Sequence, residues 1–103
     1  MQLDPATRRA IERTRTEVGA SEAILFGSRA RDEAAKDSDA DLCFIFHSFP
    51  DDPFELMYRI RRSIHAEVTA ALDVLVYEQS VFERCASRRN SFESVIKNEG
   101  VIL

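Results

Sequence analysis

Apolar residues in the first part of the chain recur at the spacing of a helix. They lie on one face, and the positions between them are mostly charged. The apolar residues on this face are Ala6, Ala10, Ile11 and Val18. Asp4 followed by Pro5 is a typical helix start, and Gly19 is a typical helix end. The pattern predicts a first helix from Pro5 to Val18 that packs one side on a sheet.

Three short stretches have the composition and bounds typical of β-strands. They are Glu22–Phe26, Asp41–Phe46 and Leu72–Tyr77. The second is an almost unbroken apolar run, which favours a buried, central place in the sheet. About thirty residues that include a helix separate the second strand from the third, which suits a right-handed crossover between parallel strands.

Helices and turns are expected in the rest of the chain. The polar, alanine-rich stretch 29–35 predicts one or two helical turns. Asp52 and Pro53 repeat the helix-start signal, and an apolar stripe predicts a second helix to about Ala71. The segment from Ser80 to Leu103 is typical of one or two short helices, with Gly100 as a stop before an apolar tail.

Length and composition are those of one globular domain. The 103 residues suffice for one core but not for two, so a single domain over 1–103 is expected. The fold class is therefore α/β (α+β): a small mixed sheet of three or more strands flanked by helices. A net charge of −4 argues against direct nucleic-acid binding. Neither a membrane span nor a signal peptide is visible, which makes the cytoplasm the expected location.

Aspartates lie at the starts of two of these strands. Asp39 and Asp41 are two residues apart, so an extended backbone points both carboxylates to one side. A solvated turn is the alternative interpretation of this pair. Asp73 opens an otherwise apolar strand, either with a cation as partner or as a surface residue at the sheet edge. Parallel second and third strands would place the two strand starts side by side.

Gly27 and Ser28 end the first strand. Such a turn presents backbone N–H groups and a hydroxyl to an anion, although an ordinary structural turn has the same signature. A first strand antiparallel to the second would bring this turn to the edge that carries the carboxylates. Three carboxylates beside an anion site suit Mg²⁺ and a nucleoside triphosphate, and two such ions support in-line displacement of pyrophosphate.

The stretch GSRARDEAAKDSDADLCFIF, followed by LDVLV, resembles the minimal nucleotidyltransferases of the DNA polymerase β superfamily. The resemblance implies a polymerase β palm-like fold and Mg²⁺-dependent nucleotidyl transfer. Gly27 and Ser28 would then bind the β- and γ-phosphates of ATP, and Asp39 and Asp41 would hold both metal ions. Asp73 would hold the catalytic ion and help to deprotonate the acceptor. Arg29 and Arg31 would neutralise phosphate charge, or would be ordinary solvated arginines.

Family members of this size often pair with an all-helical HEPN-domain ribonuclease as its antitoxin. The resemblance therefore implies transfer of AMP from ATP to a tyrosine hydroxyl of a HEPN toxin, and a hetero-oligomer of the two proteins. One residue departs from the family pattern: Asp32 stands where glycine is usual, which adds negative charge to the turn. The departure leaves the nucleotide affinity open.

Two other hypotheses compete with protein adenylylation. The chain would be a binding antitoxin that neutralises a toxin by occlusion, with a weak or inactive site, and Asp32 favours this hypothesis. Transfer to a small molecule such as a drug is disfavoured, because relatives with that activity usually carry an extra helical domain.

Overall fold

A four-stranded mixed sheet with helices on both faces forms the protein. The computed structural model describes residues 1–34 and 38–103. Its elements, in chain order, are α1 (Pro5–Val18), β1 (Glu22–Phe26), β2 (Ala40–Phe46), α2 (Pro53–His65), β3 (Leu72–Glu78), α3 (Gln79–Ala86), α4 (Phe92–Glu99) and β4 (Val101–Ile102). The predicted fold class and the sheet of three or more strands are confirmed.

The strand order in the sheet is β3-β2-β1-β4. Strands β2 and β3 are parallel, as the long crossover predicts, and β1 is antiparallel to β2. The apolar run of β2 does lie in the interior of the sheet. Strand β4 was not predicted; it pairs with β1 through Val101 opposite Leu25, where the sequence indicated only an apolar tail.

Helix α1 has the predicted bounds, and its capping explains why. The Asp4 carboxylate accepts a hydrogen bond from the Thr7 backbone N–H at 3.1 Å, and Gly19 ends the helix with a φ of 80°. Helix α2 begins at Pro53 as predicted, where Asp52 accepts from the N–H groups of Phe54 and Glu55.

The predicted end of α2 near Ala71 was wrong, because the helix ends at His65. A helix reaching Ala71 would leave no chain to connect it to β3 at Leu72. Residues 66–71 make that connection, and the Ala70 carbonyl lies 2.7 Å from His65 Nε2. The apolar stripe continues through Val68, which still packs against the core without being part of the helix.

The two faces of the sheet are covered differently. Alternate side chains of β2 point to opposite faces. Leu42, Phe44 and Phe46 join the larger core cluster beneath α1 and α2, and Cys43 and Ile45 join a smaller cluster beneath α3 and α4. Within the described residues, no helix is both long and apolar enough to cross a membrane.

Candidate functional site

Three carboxylates lie at one edge of the sheet, on the face that carries α3 and α4. Asp41 is the second residue of β2, and it pairs in register with Asp73, the second residue of parallel β3. Asp39 lies just before β2 and is exposed, as is Asp73. The expected convergence of the strand starts is therefore present in the described structure.

Strand β1 brings its terminal turn to the same place. Phe26 is the register partner of Asp41, so Gly27 follows directly beside the carboxylate. A Cβ built at Gly27 would collide with Asp41 Oδ2 and lie 3.2 Å from its Cγ. Gly27 also has a φ of 73°, a backbone conformation that glycine adopts readily. Glycine is thus required here both for the turn and for the close approach of Asp41.

The charge balance at this edge is unfavourable without a cation. Partial burial raises the pKa of Asp41, and the neighbouring charges of Asp73 and Asp39 raise it further. Arg31 opposes this effect, which places its guanidinium within electrostatic reach of the carboxylate. A carboxylate whose ionised form is destabilised by like charges fits a site that binds a metal ion.

The donor chemistry suits Mg²⁺, which prefers oxygen ligands. Across residues 1–34 and 38–103, no three Asp, Glu, His or Cys side chains form a ready-made metal site. Mg²⁺ sites in nucleotide-dependent proteins commonly take one or two carboxylates, with phosphate oxygens and water completing the shell. An exposed group of neighbouring carboxylates beside an anion-binding turn fits that arrangement.

The segment after Gly27 is a hydrogen-bonded turn. The N–H groups of Ala30 and Arg31 both donate to the Gly27 carbonyl, at 3.1 and 3.3 Å, and Glu33 N–H donates to the Ser28 carbonyl at 2.9 Å. No regular helix forms over residues 29–34, so the predicted helical turns are only partly realised, and residues 35–37 lie outside the described structure.

Asp32 adopts the left-handed backbone conformation, with a φ of 58°. Glycine adopts this region without strain, and aspartate is among the residues that tolerate it best. The side chain is exposed. The replacement of the usual glycine therefore preserves a left-handed residue at this position of the turn.

The two predicted phosphate-binding arginines have different surroundings. Arg31 is exposed and pairs with Glu33 at 3.2 Å. Arg29 instead donates to the backbone carbonyls of Ser38 and Gln2. No sequence pattern indicated this contact, because it joins residues that are nine and 27 positions apart. The predicted role of Arg29 in nucleotide binding stays a prediction.

The sequence left two interpretations of Asp73, a carboxylate with a cation as partner or a surface residue at the sheet edge, and its exposure agrees with the second. Strand β3 is an edge strand, and Asp73 is exposed. Its place in the site follows from the register with Asp41 alone.

A family model described as nucleotidyltransferase domain matches residues 7–103. The chain belongs to this family. No curated protein matches this chain in sequence. Among solved structures, this chain is similar to a protein from Sulfolobus solfataricus that carries the provisional name of nucleotidyltransferase. The two share 22% identity, with a TM-score of 0.52. The match covers 99% of this chain and 89% of the other, and it supports the fold.

Proposed function

We propose that this nucleotidyltransferase domain transfers a nucleotidyl group from a nucleoside triphosphate to a hydroxyl acceptor, with Asp39, Asp41 and Asp73 as the metal ligands. The observation that carries the proposal is the register of Asp41 beside Asp73, with Gly27 pressed against the Asp41 carboxylate. This arrangement supports the proposal because the turn after β1 lies beside the carboxylates.

The turn after β1 is the proposed phosphate site. The Asp41 carboxylate occupies the space beside the Gly27 Cα, and the half-buried Ser28 supplies a hydroxyl in the same turn. Among residues 1–34 and 38–103, no hydrogen bond uses the backbone N–H of Ser28 or Arg29, which supports both as donors to phosphate. Arg31 adds a positive charge near Asp41.

The reaction joins the acceptor oxygen to the α-phosphorus of the nucleotide. The bond between that phosphorus and the bridging oxygen breaks, and pyrophosphate leaves with the bonding electron pair. Asp73 accepts the proton of the acceptor hydroxyl. When bound, Mg²⁺ supplies charge stabilisation to the attacking and leaving oxygens. Asp39, just before β2, and Asp41, its second residue, would hold the metal ion.

We further propose ATP as the nucleotide and a tyrosine of a HEPN-domain toxin as the acceptor, which would make the chain an antitoxin. The family resemblance of the GSRARD and DSDADL motifs supports this assignment. So does the exposure of Asp39 and Asp73, because a hydroxyl carried on a protein surface can reach open carboxylates.

The test is the intact mass of a HEPN partner encoded beside this gene, after co-expression with wild type, Asp41→Asn or Asp51→Asn. Asp51 is an exposed aspartate that lies before α2 and pairs with Arg59 of that helix. Asp51→Asn therefore makes the same chemical change as Asp41→Asn, but outside the site. Wild type and Asp51→Asn should add AMP to the partner. Asp41→Asn should reduce transfer at least about 1,000-fold, because metal coordination contributes several kcal/mol to such reactions.

Each other outcome has a defined meaning. Equal AMP transfer by Asp41→Asn would refute the assigned site. Occlusion would be favoured if wild type leaves the partner unmodified while wild type and Asp41→Asn both neutralise it in a stable complex. Addition of a different nucleotide would retain the site and correct the choice of ATP.

A further inference from the structure

Arg29 joins three separate segments next to the site. Its Nε and Nη2 both donate to the Ser38 carbonyl, at 3.0 and 2.6 Å. Its Nη1 donates to the Gln2 carbonyl at 3.1 Å. A planar guanidinium can hold such a forked arrangement because its donors are fixed relative to one another. The turn after β1 is thereby tied to the residue that precedes Asp39.

The base of this bridge is itself anchored. The Gln2 N–H donates to the Arg29 carbonyl at 2.8 Å, which makes the contact between these residues reciprocal. At the other end of the turn, the Gln2 side chain accepts from the Ala34 N–H at 2.7 Å. Because the turn is held at both ends, the Arg29 side chain extends from a fixed position.

The bridge acts on one side of Asp39, and the sheet acts on the other. Arg29 fixes the Ser38 carbonyl, and the Ala40 N–H donates to the Ala71 carbonyl at 2.9 Å where β2 meets the start of β3. Asp39 lies between these two anchored peptides while its own carboxylate remains exposed. The backbone of an exposed metal-ligand candidate is thus held without burying its side chain.

We propose that Arg29 is a positioning residue that fixes Asp39 relative to the Gly27 turn through the Ser38 carbonyl. The inference rests on the proposed function, since it takes Asp39 as a metal ligand. It differs from the expectation that Arg29 neutralises phosphate charge, because the relevant feature is the forked geometry and not the charge. Residues that orient metal ligands typically alter metal affinity or activity 10- to 100-fold when they are changed.

The first test measures Mn²⁺ affinity by titration in the presence of a non-hydrolysable ATP analogue. Arg29→Ala should weaken Mn²⁺ binding about 10- to 100-fold. Arg29→Lys should weaken it to a similar extent, because one ammonium group does not reproduce two donors to Ser38 and one to Gln2. Recovery of wild-type affinity by Arg29→Lys would overturn the proposal in favour of a charge effect.

Two further variants make the result interpretable. Arg8→Ala removes an exposed arginine that pairs with Glu12 on α1, and it should leave Mn²⁺ affinity unchanged. Asp41→Asn should abolish the binding. If Asp41→Asn binds Mn²⁺ as wild type does, the proposed function fails; if only the Arg29 variants do, the positioning role fails and the proposed function stands.

A second test needs no metal. Hydrogen exchange of the Ala40 amide reports how firmly the start of β2 is held. Both Arg29 variants should accelerate this exchange by about tenfold or more, since a hydrogen bond to a charged group contributes about 1.5–3 kcal/mol. A single cooperative urea transition in each variant would show that it is folded. Unchanged exchange at Ala40 in folded Arg29→Ala would overturn the proposal.

Discussion

The two faces of the sheet have opposite properties although they share the same central strand. Towards α1 and α2, β2 presents Leu42, Phe44 and Phe46, none of which is exposed to solvent. Towards α3 and α4 it presents Asp41, then Cys43 and Ile45. Because side chains alternate along a strand, one nearly continuous apolar sequence contributes to a core on one face and to the candidate site on the other.

The change from site to core on the second face takes only two residues. Asp41 is half-buried and borders solvent-exposed Asp73, whereas Cys43 is fully buried. Burial raises the pKa of the Cys43 thiol to about 12. The apolar surroundings therefore begin one side chain beyond the carboxylates, at a separation of about 7 Å along the strand.

The largest expected effect on stability comes from a substitution on the closed face, which is the face covered by α1 and α2. Phe44→Ala should lower the free energy of unfolding by about 3–5 kcal/mol, because it removes a fully buried aromatic side chain and leaves a cavity. Urea denaturation measures this loss from the shift in midpoint.

Phe54→Ala is the matched control for the same chemical change. Phe54 lies on α2 with 77% of its surface exposed, so its removal should change the unfolding free energy by less than about 0.5 kcal/mol. Equal losses in the two variants would contradict the view that the closed face carries the stability.

Substitution of Gly27, in the turn after β1, should have an intermediate effect on both stability and activity. Gly27→Ala forces a side chain into the left-handed region, which costs about 1–2 kcal/mol. The new Cβ also displaces the Asp41 carboxylate. Nucleotidyl transfer by the folded protein should fall about 100-fold, as expected for displacement of a catalytic group by about 1 Å.

Gly19→Ala separates the strain from the collision. Gly19 has a φ of 80°, but a Cβ there meets nothing within 4 Å. This variant should lose similar stability and retain full transfer activity per folded molecule. If the two alanine variants have the same activity, close packing of Gly27 on Asp41 does not matter for the reaction.

Local patterns were sufficient to predict much of the fold and the proximity of two candidate site residues. The bounds of α1 and β1 were correct because capping residues and strand composition are local signals. The proximity of Asp41 and Asp73 also followed, since a crossover of this length favours parallel strands. The short β4 was missed because two residues give no periodicity and the pairing depends on β1.

Contacts between residues far apart in the sequence could not be predicted either, because they depend on how distant segments meet. The bond from Arg29 to Ser38 depends on how the turn, the N-terminal segment and the start of β2 meet in space. The polar contacts between α1 and α2, where Thr14 lies 2.7 Å from Ser63, likewise have no local signature. Sequence patterns indicated the candidate site residues but not the contacts that hold them in place.

The smallest effect is a pH dependence of stability in the metal-free protein. Burial and the charges of Asp73 and Asp39 raise the pKa of folded Asp41, so its ionised form destabilises the fold. The favourable contribution of protonated Asp41 is present at low pH and is lost as the pH rises through the folded pKa. Asp41→Asn should therefore be more stable than wild type at pH 7, by less than about 1 kcal/mol.

Urea midpoints in EDTA across about pH 4–7 provide the measurement. The advantage of Asp41→Asn should shrink as the pH falls, because wild type then becomes protonated at the same position. Glu83→Gln removes an exposed carboxylate from the middle of α3 and should change stability by less than about 0.5 kcal/mol at each pH. If wild type is more stable than Asp41→Asn at pH 7 without metal, the carboxylates do not repel one another. The proposed contrast between the two faces of the sheet would then fail.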